Sequence, residues 1–116
     1  MTMTNSSIRG VLVLLTLAFA QVDVAWAAAG WTGAASVDEL TPMAKHYYVV
    51  RLSDARTPTD CKNKEWYFQD YDTIASDKMF LALLEALTSG ARVKVYVTGR
   101  CNLDGYSEIS SVSVMR

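Results

Sequence analysis

Few residues in this chain have side chains that could carry out a reaction. His46 is its one histidine, and Cys61 and Cys101 are its two cysteines. A structural zinc site needs four nitrogen or sulfur ligands in a tetrahedron. His46 has no partner at metal spacing, and two cysteines about 40 residues apart are a poor set. No local spacing suggests a Ser-His-Asp or Cys-His nucleophile. Asp70 and Asp72 could be read as a carboxylate pair for glycoside chemistry, but the end of a strand followed by a polar turn accounts for them better. Gly99 and Gly105 have the setting of turn glycines and not that of a phosphate loop. The expectation is a non-enzymatic protein with no catalytic residue, no metal ligand and no cofactor.

Aromatic side chains are the remaining chemistry. Trp31, Tyr47, Tyr67, Tyr96 and Tyr106 offer apolar faces on which sugar rings could stack, and tyrosine hydroxyls could bond to sugar hydroxyls. The competing reading puts them in the wall of the fold or at subunit seams, where amphipathic tyrosine is favoured.

The ends of the chain set the compartment. Arg9 precedes an apolar run from Val11 to Ala20, and Ala25-Trp26-Ala27 follows with small residues at the two positions a signal peptidase reads. A membrane span needs roughly 20 apolar residues, and Gln21 and Asp23 interrupt this one too soon. Residues 1–27 therefore read as a cleavable secretory signal peptide, with cleavage after Ala27 or Ala29, and 28–116 as one domain. A secreted or periplasmic location follows, with no membrane span after cleavage.

Without Arg9 and Asp23, the 11 basic and 12 acidic residues become ten and eleven, so the mature charge stays near −1. That balance lacks the basic footprint of a nucleic-acid binder. A domain this small often needs a staple. In an exported chain, two cysteines suggest a bridge, here worth roughly 3–4 kcal/mol in the chain-entropy model. Two buried free thiols are the alternative.

The elements that must position these groups follow from pattern. Residues 28–35 are small and glycine-rich apart from Trp31, and read as a mobile start that this one large aromatic could pin. Ser36–Thr41 reads as a first strand ended by Pro42. His46–Leu52 is a second, with Tyr48, Val50 and Leu52 on one face. Lys64–Asp70 is a third. Ser76, as N-cap, starts a helix that Gly90 ends. Arg92–Thr98 is a fourth strand, with Val93, Val95 and Val97 facing the core. Gly99–Gly105 is a loop holding Cys101. Tyr106–Val114 is a fifth strand whose broken alternation at Ile109 asks for a bulge near Ser110-Ser111.

Three strands, one helix and two strands is the order of an OB-fold, a small five-stranded Greek-key barrel (β-β-β-α-β-β). In that barrel the third and fifth strands run parallel. The approach to strand three and the loop between strands four and five then lie at one end, which brings Cys61 and Cys101 together.

The helix is more apolar than a surface helix requires. Met79, Leu83, Ala86 and Leu87 form a stripe sufficient to cap the barrel. Phe80, Leu81 and Leu84 fall outside it or widen it. Either the helix makes a broad contact with the barrel mouth and a loop, or these three residues face a neighbouring subunit.

The chain also resembles the B subunits of AB5 toxins, of the subtilase-cytotoxin and typhoid-toxin type. The resemblance rests on Trp31-Thr32-Gly33 just after the expected cleavage site, on Val37-Asp38-Glu39-Leu40 and Tyr47-Tyr48-Val49-Val50, and on Ser89-Gly90 followed by Val93-Lys94-Val95-Tyr96. It implies an exported OB-fold subunit that forms a homopentamer, with an enzymatic A subunit as partner and a cell-surface glycan as ligand. Trp31, Ser36 and Tyr96 are the candidate glycan contacts. Three departures stand out, one of them that Cys101 has no evident counterpart in the family. The segment before the first strand is several residues shorter than in the family, leaving Ser36 as its one nearby serine. A sugar-contacting tyrosine of the family falls on Val97. The other functional reading is a periplasmic or secreted OB-fold interaction module that binds no sugar.

Overall fold

Alternating apolar residues write the sheet. In the computed structural model, which describes residues 29–116, six strands and one helix follow each other. They are β1 (Gly30–Trp31), β2 (Ala35–Pro42), β3 (Tyr47–Ser53), β4 (Trp66–Asp70), α1 (Ser76–Ser89), β5 (Arg92–Cys101) and β6 (Ser107–Met115). The β-branched and aromatic runs become strands because alternate side chains can all reach one buried face. Tyr48, Val50 and Leu52 of β3 and Val93, Val95 and Val97 of β5 are fully buried in a common core. The expected second-strand and fourth-strand faces are thus the observed ones.

The strands are ordered β1-β5-β2-β3-β4-β6, and a further β5–β6 pairing closes the sheet into a ring. β4 and β6 pair in parallel, with Tyr67 opposite Ser107 and Phe68 opposite Glu108, and the other pairs are antiparallel. The protein among these residues is mainly β with a single helix. The bulge falls as expected. Tyr96 lies opposite Ser111 and Val97 opposite Ile109, so Ser110 is the extra residue. That insertion lets Ile109 and Val112 both turn toward the core.

α1 lies across this core, with Leu83 and Ala86 buried in it and Phe80 and Leu87 packed at its margin. Its C-terminus ends as expected: Gly90 has φ 76°, a conformation glycine adopts cheaply, and its N–H reaches the carbonyl of Ala86 at 3.0 Å.

Three expectations need correction. Ser76 is not the N-cap. Ala75 holds that position with φ 64° and gives no side-chain bond, while Ser76 is already the first helical residue, with its N–H on the Thr73 carbonyl. The residues around Trp31 are not a loose start but a sixth strand, because the edge of β5 is open to them. Cys101 is the last residue of β5 and not a loop residue; β5 runs on past Thr98 and pairs Cys101 with Ser107. The expected signal peptide, residues 1–27, lies outside the described residues. Among the described residues, no helix is long and apolar enough to cross a membrane.

Candidate functional site

The segment from Gly30 to Ser36 runs antiparallel along one edge of β5. Gly30 and Trp31 lie opposite Val97 and Tyr96, and Ala35 and Ser36 lie opposite Val93 and Arg92. The extra residue in this register is taken up at Gly33-Ala34. Thr32 fastens the segment: its N–H donates to the Val95 carbonyl at 2.9 Å, and its hydroxyl accepts from the Val95 N–H at 3.1 Å. Arg92 donates to the Ala34 carbonyl at 2.8 Å beyond the break.

This docking sets Trp31 edge-on to Tyr96, with ring centroids 5.6 Å apart and planes at 81°. The neighbouring outward positions of β5 and β6 bring Tyr96 opposite Ser111 and Lys94 opposite Ser113. Trp31, Lys94 and Ser113 line a shallow dish of about 280 Å³. Trp31 keeps 49% of its surface exposed. An aromatic face, an ammonium and hydroxyls together can stack on an apolar ring face and bond to hydroxyl groups.

Two of the three candidate glycan contacts, Trp31 and Tyr96, are therefore brought together. Ser36 is not with them. It is exposed, on the far side of the Gly33-Ala34 break, opposite Arg92 and Ser53. Four residues along a strand put it about 13 Å from the Tyr96 position. Val97 is fully buried, so the position where the AB5 resemblance has a sugar-contacting tyrosine faces the core.

The other aromatics are used internally. Tyr67 is buried, its hydroxyl donates to the Lys64 carbonyl at 3.2 Å, and burial pushes its phenol pKa up. Tyr106 stacks on Trp66 at 6.0 Å, with the Arg51 guanidinium over Trp66. Tyr47 packs against Phe68. Phe68 is also covered by Arg100, which ion-pairs with Asp70 at 3.1 Å and with Glu108 at 2.5 Å. The hydrogen bond that Arg100 donates to Asp70, then the charge of Glu108, hold the Arg100 proton more firmly than usual. This outer cluster was hidden in the sequence because Arg100 and Glu108 become neighbours only through the β5–β6 hairpin. Asp70 ends β4, as its position suggested, and the pairing with Arg100 is an addition that the fold makes.

Cys61 and Cys101 form a disulfide with Cα atoms 5.6 Å apart. The Thr59 hydroxyl donates to the Cys61 sulfur at 3.0 Å, and the Lys64 ammonium holds the Thr59 carbonyl. Across the bridge, the Asn63 N–H donates to the Gly105 carbonyl at 3.0 Å. Gly105 has φ 82°, and a Cβ there would lie 3.0 Å from the Lys62 side chain, so any other residue would be strained. His46 is exposed and lies just outside β3. No group of three His, Cys, Asp or Glu among the described residues stands close enough to hold a metal ion.

The candidate interface residues divide. Phe80 packs edge-to-face on Tyr48 with centroids 5.2 Å apart and is partly buried at the margin of the core. Leu81 is 60% exposed and Leu84 is 39% exposed. Ile74, just before the helix, is also exposed.

No protein-family model matches this chain, and neither the curated proteins nor the solved structures yield a match.

Proposed function

We propose that the chain is an exported, non-enzymatic OB-fold subunit that assembles into a ring and binds a glycan on its outer face, in the manner of an AB5-toxin B subunit. The observation that carries the ligand half is the Trp31–Tyr96 pair beside Lys94 and Ser113. A tryptophan face held in place by a buried threonine is a fixed surface on which the apolar face of a sugar ring can stack. The strand order with a parallel β4–β6 pairing and a helix between β4 and β5 supports the OB-fold. The disulfide supports an oxidising, secreted or periplasmic location. Uncovered Leu81 and Leu84 support a neighbour against the helix, a homopentamer by resemblance, with an enzymatic A subunit as a further partner.

Light scattering coupled to size exclusion, followed by a glycan array, tests this reading. The expected result is a closed oligomer that binds a defined glycan set and loses it on Trp31→Ala. A clean monomer removes the ring. One observation favours a second reading, an interaction module without sugar binding: Val97 is buried where the resemblance implies a sugar contact. A well-folded oligomer that binds no glycan would select that reading.

A further inference from the structure

A second concave site lies at the start of the helix, away from the Trp31 dish. Pro42, Tyr48, Tyr71, Phe80 and Leu81 wall a cleft of about 460 Å³, and Ser76 and Asp77 form its polar edge. The size and the mixture of many apolar walls with few polar groups are those of a small-ligand site. Tyr71 is fixed in place at the mouth: its hydroxyl donates to the Met43 carbonyl and accepts from the Met43 N–H, both at 2.7 Å.

The polar edge presents open groups of both kinds, donors and acceptors. Ala75 supplies no cap, and the N–H groups of Asp77 and Lys78 have no acceptor among the described residues. Those amides, with the helix dipole, want an acceptor. Ser76 is 4% exposed, and its hydroxyl makes no hydrogen bond to any described residue. The Asp77 carboxylate at the same edge wants donors and has no ion pair among the described residues.

We infer that this cleft binds a neutral hydroxylated ring, a pyranose in its simplest form. A cation would satisfy Asp77 but meet the free amides. An anion would satisfy the amides but meet Asp77. Sugar hydroxyls donate and accept, so neighbouring hydroxyls can answer the carboxylate, the amides and the Ser76 hydroxyl at once. The apolar face of the ring then lies on Tyr71 and Phe80. This site shares no residue with the Trp31 dish, and of its walls Leu81 alone is also proposed to meet a neighbouring subunit.

The test is an amide-resolved NMR titration of the full chain with methyl glycosides of galactose, glucose and mannose, with tetramethylammonium and acetate as charged probes. The expected result is saturable shifts of the Asp77 and Lys78 amides with at least one glycoside, unchanged in Trp31→Ala. Asp77→Asn should weaken that binding by about tenfold, the loss of one hydrogen bond to a charged group. Ser76→Ala should weaken it less and carries the test if Asp77→Asn folds poorly. The inference is overturned if no glycoside moves those amides, if either charged probe moves them more than any glycoside does, or if both folded variants bind as the parent does.

Discussion

The side-chain amide of Gln69 donates to the carbonyl of Ile109 at 2.9 Å, just beyond the last paired residues of β4 and β6. Its other end accepts from the Tyr48 hydroxyl at 2.8 Å, and its nitrogen also reaches the Met79 sulfur at 3.1 Å. One buried glutamine thus ties β3, β6 and α1 to β4. It sits beside the Ser110 bulge, where a side chain takes over from the backbone ladder.

Gln69→Leu should therefore be costly. It leaves the Ile109 carbonyl and the Tyr48 hydroxyl buried without partners, a loss of about 2–5 kcal/mol. Urea denaturation measures it. Adding Tyr48→Phe should recover part of that loss, because it removes one of the two orphaned groups. A double variant no more stable than Gln69→Leu alone would show that the two groups are not coupled.

High pH should destabilise the fold through the same network. Desolvation raises the Tyr48 phenol well above its usual range near 10, and burial raises Tyr67 as well. The unfolded chain then loses these protons before the folded chain does. Stability is at full value below about pH 10 and falls as pH rises above it. Denaturation midpoints across that window, followed by tyrosinate absorbance, check the slope. Tyr48→Phe should make the slope shallower without abolishing it, since Tyr67 remains.

Much of this frame was legible because it rests on alternation. Val93, Val95 and Val97 could only be one face of a strand, and Ile109 out of phase could only be rescued by one inserted residue. Gly90 marked the helix end through a conformational need that holds in any context. What escaped was set by tertiary pairing. Gly30 and Trp31 have no strand signal of their own and pair because β5 leaves an edge open to them. Ser76 has good cap chemistry but enters the helix, since the left-handed turn at Ala75 starts it one residue sooner. Gln69 is a polar residue near a strand end, with no burial signal of its own. Its burial depends on Tyr48 and Ile109, which lie 21 and 40 residues away.

Removing the disulfide should cost about 2–5 kcal/mol. Cys61 and Cys101 close a loop spanning 40 residues that contains β4, α1 and most of β5. Cys101→Ser, compared with the parent under matched oxidising and reducing conditions, measures it. Equal melting of the parent in both conditions would contradict the expectation.

Leu84→Glu should separate assembly from folding. Leu84 is already substantially exposed, so a charge there should change the stability of one chain by less than about 1 kcal/mol. If a neighbour covers the helix, the same charge becomes buried and unpaired, and the oligomer should fall apart. Phe80→Ala is the contrast. Phe80 packs on Tyr48, so its loss should lower stability whatever the assembly state. Scattering mass and melting temperature, read on both variants, distinguish the two cases. Unfolding of Leu84→Glu would place that residue in the core instead.

Trp31→Ala and Thr32→Ala should behave in opposite ways, though the residues are adjacent. Trp31 gives half its surface to water and touches Tyr96 by an edge, so its truncation should cost stability only about 1 kcal/mol. Binding on the outer face should be lost, because the stacking surface is gone. Thr32 is buried and exchanges bonds with both groups of Val95. Thr32→Ala leaves the Val95 N–H without its acceptor on that edge, at a cost of about 1–3 kcal/mol, and loosens β1. Hydrogen exchange should show this as faster exchange at Val95 with a core otherwise protected. Glycan binding should weaken in step with the fraction of chains whose β1 has come away, and cooling, by redocking the strand, should restore it. Binding that is equally lost at all temperatures would mean that Thr32 itself contacts the ligand.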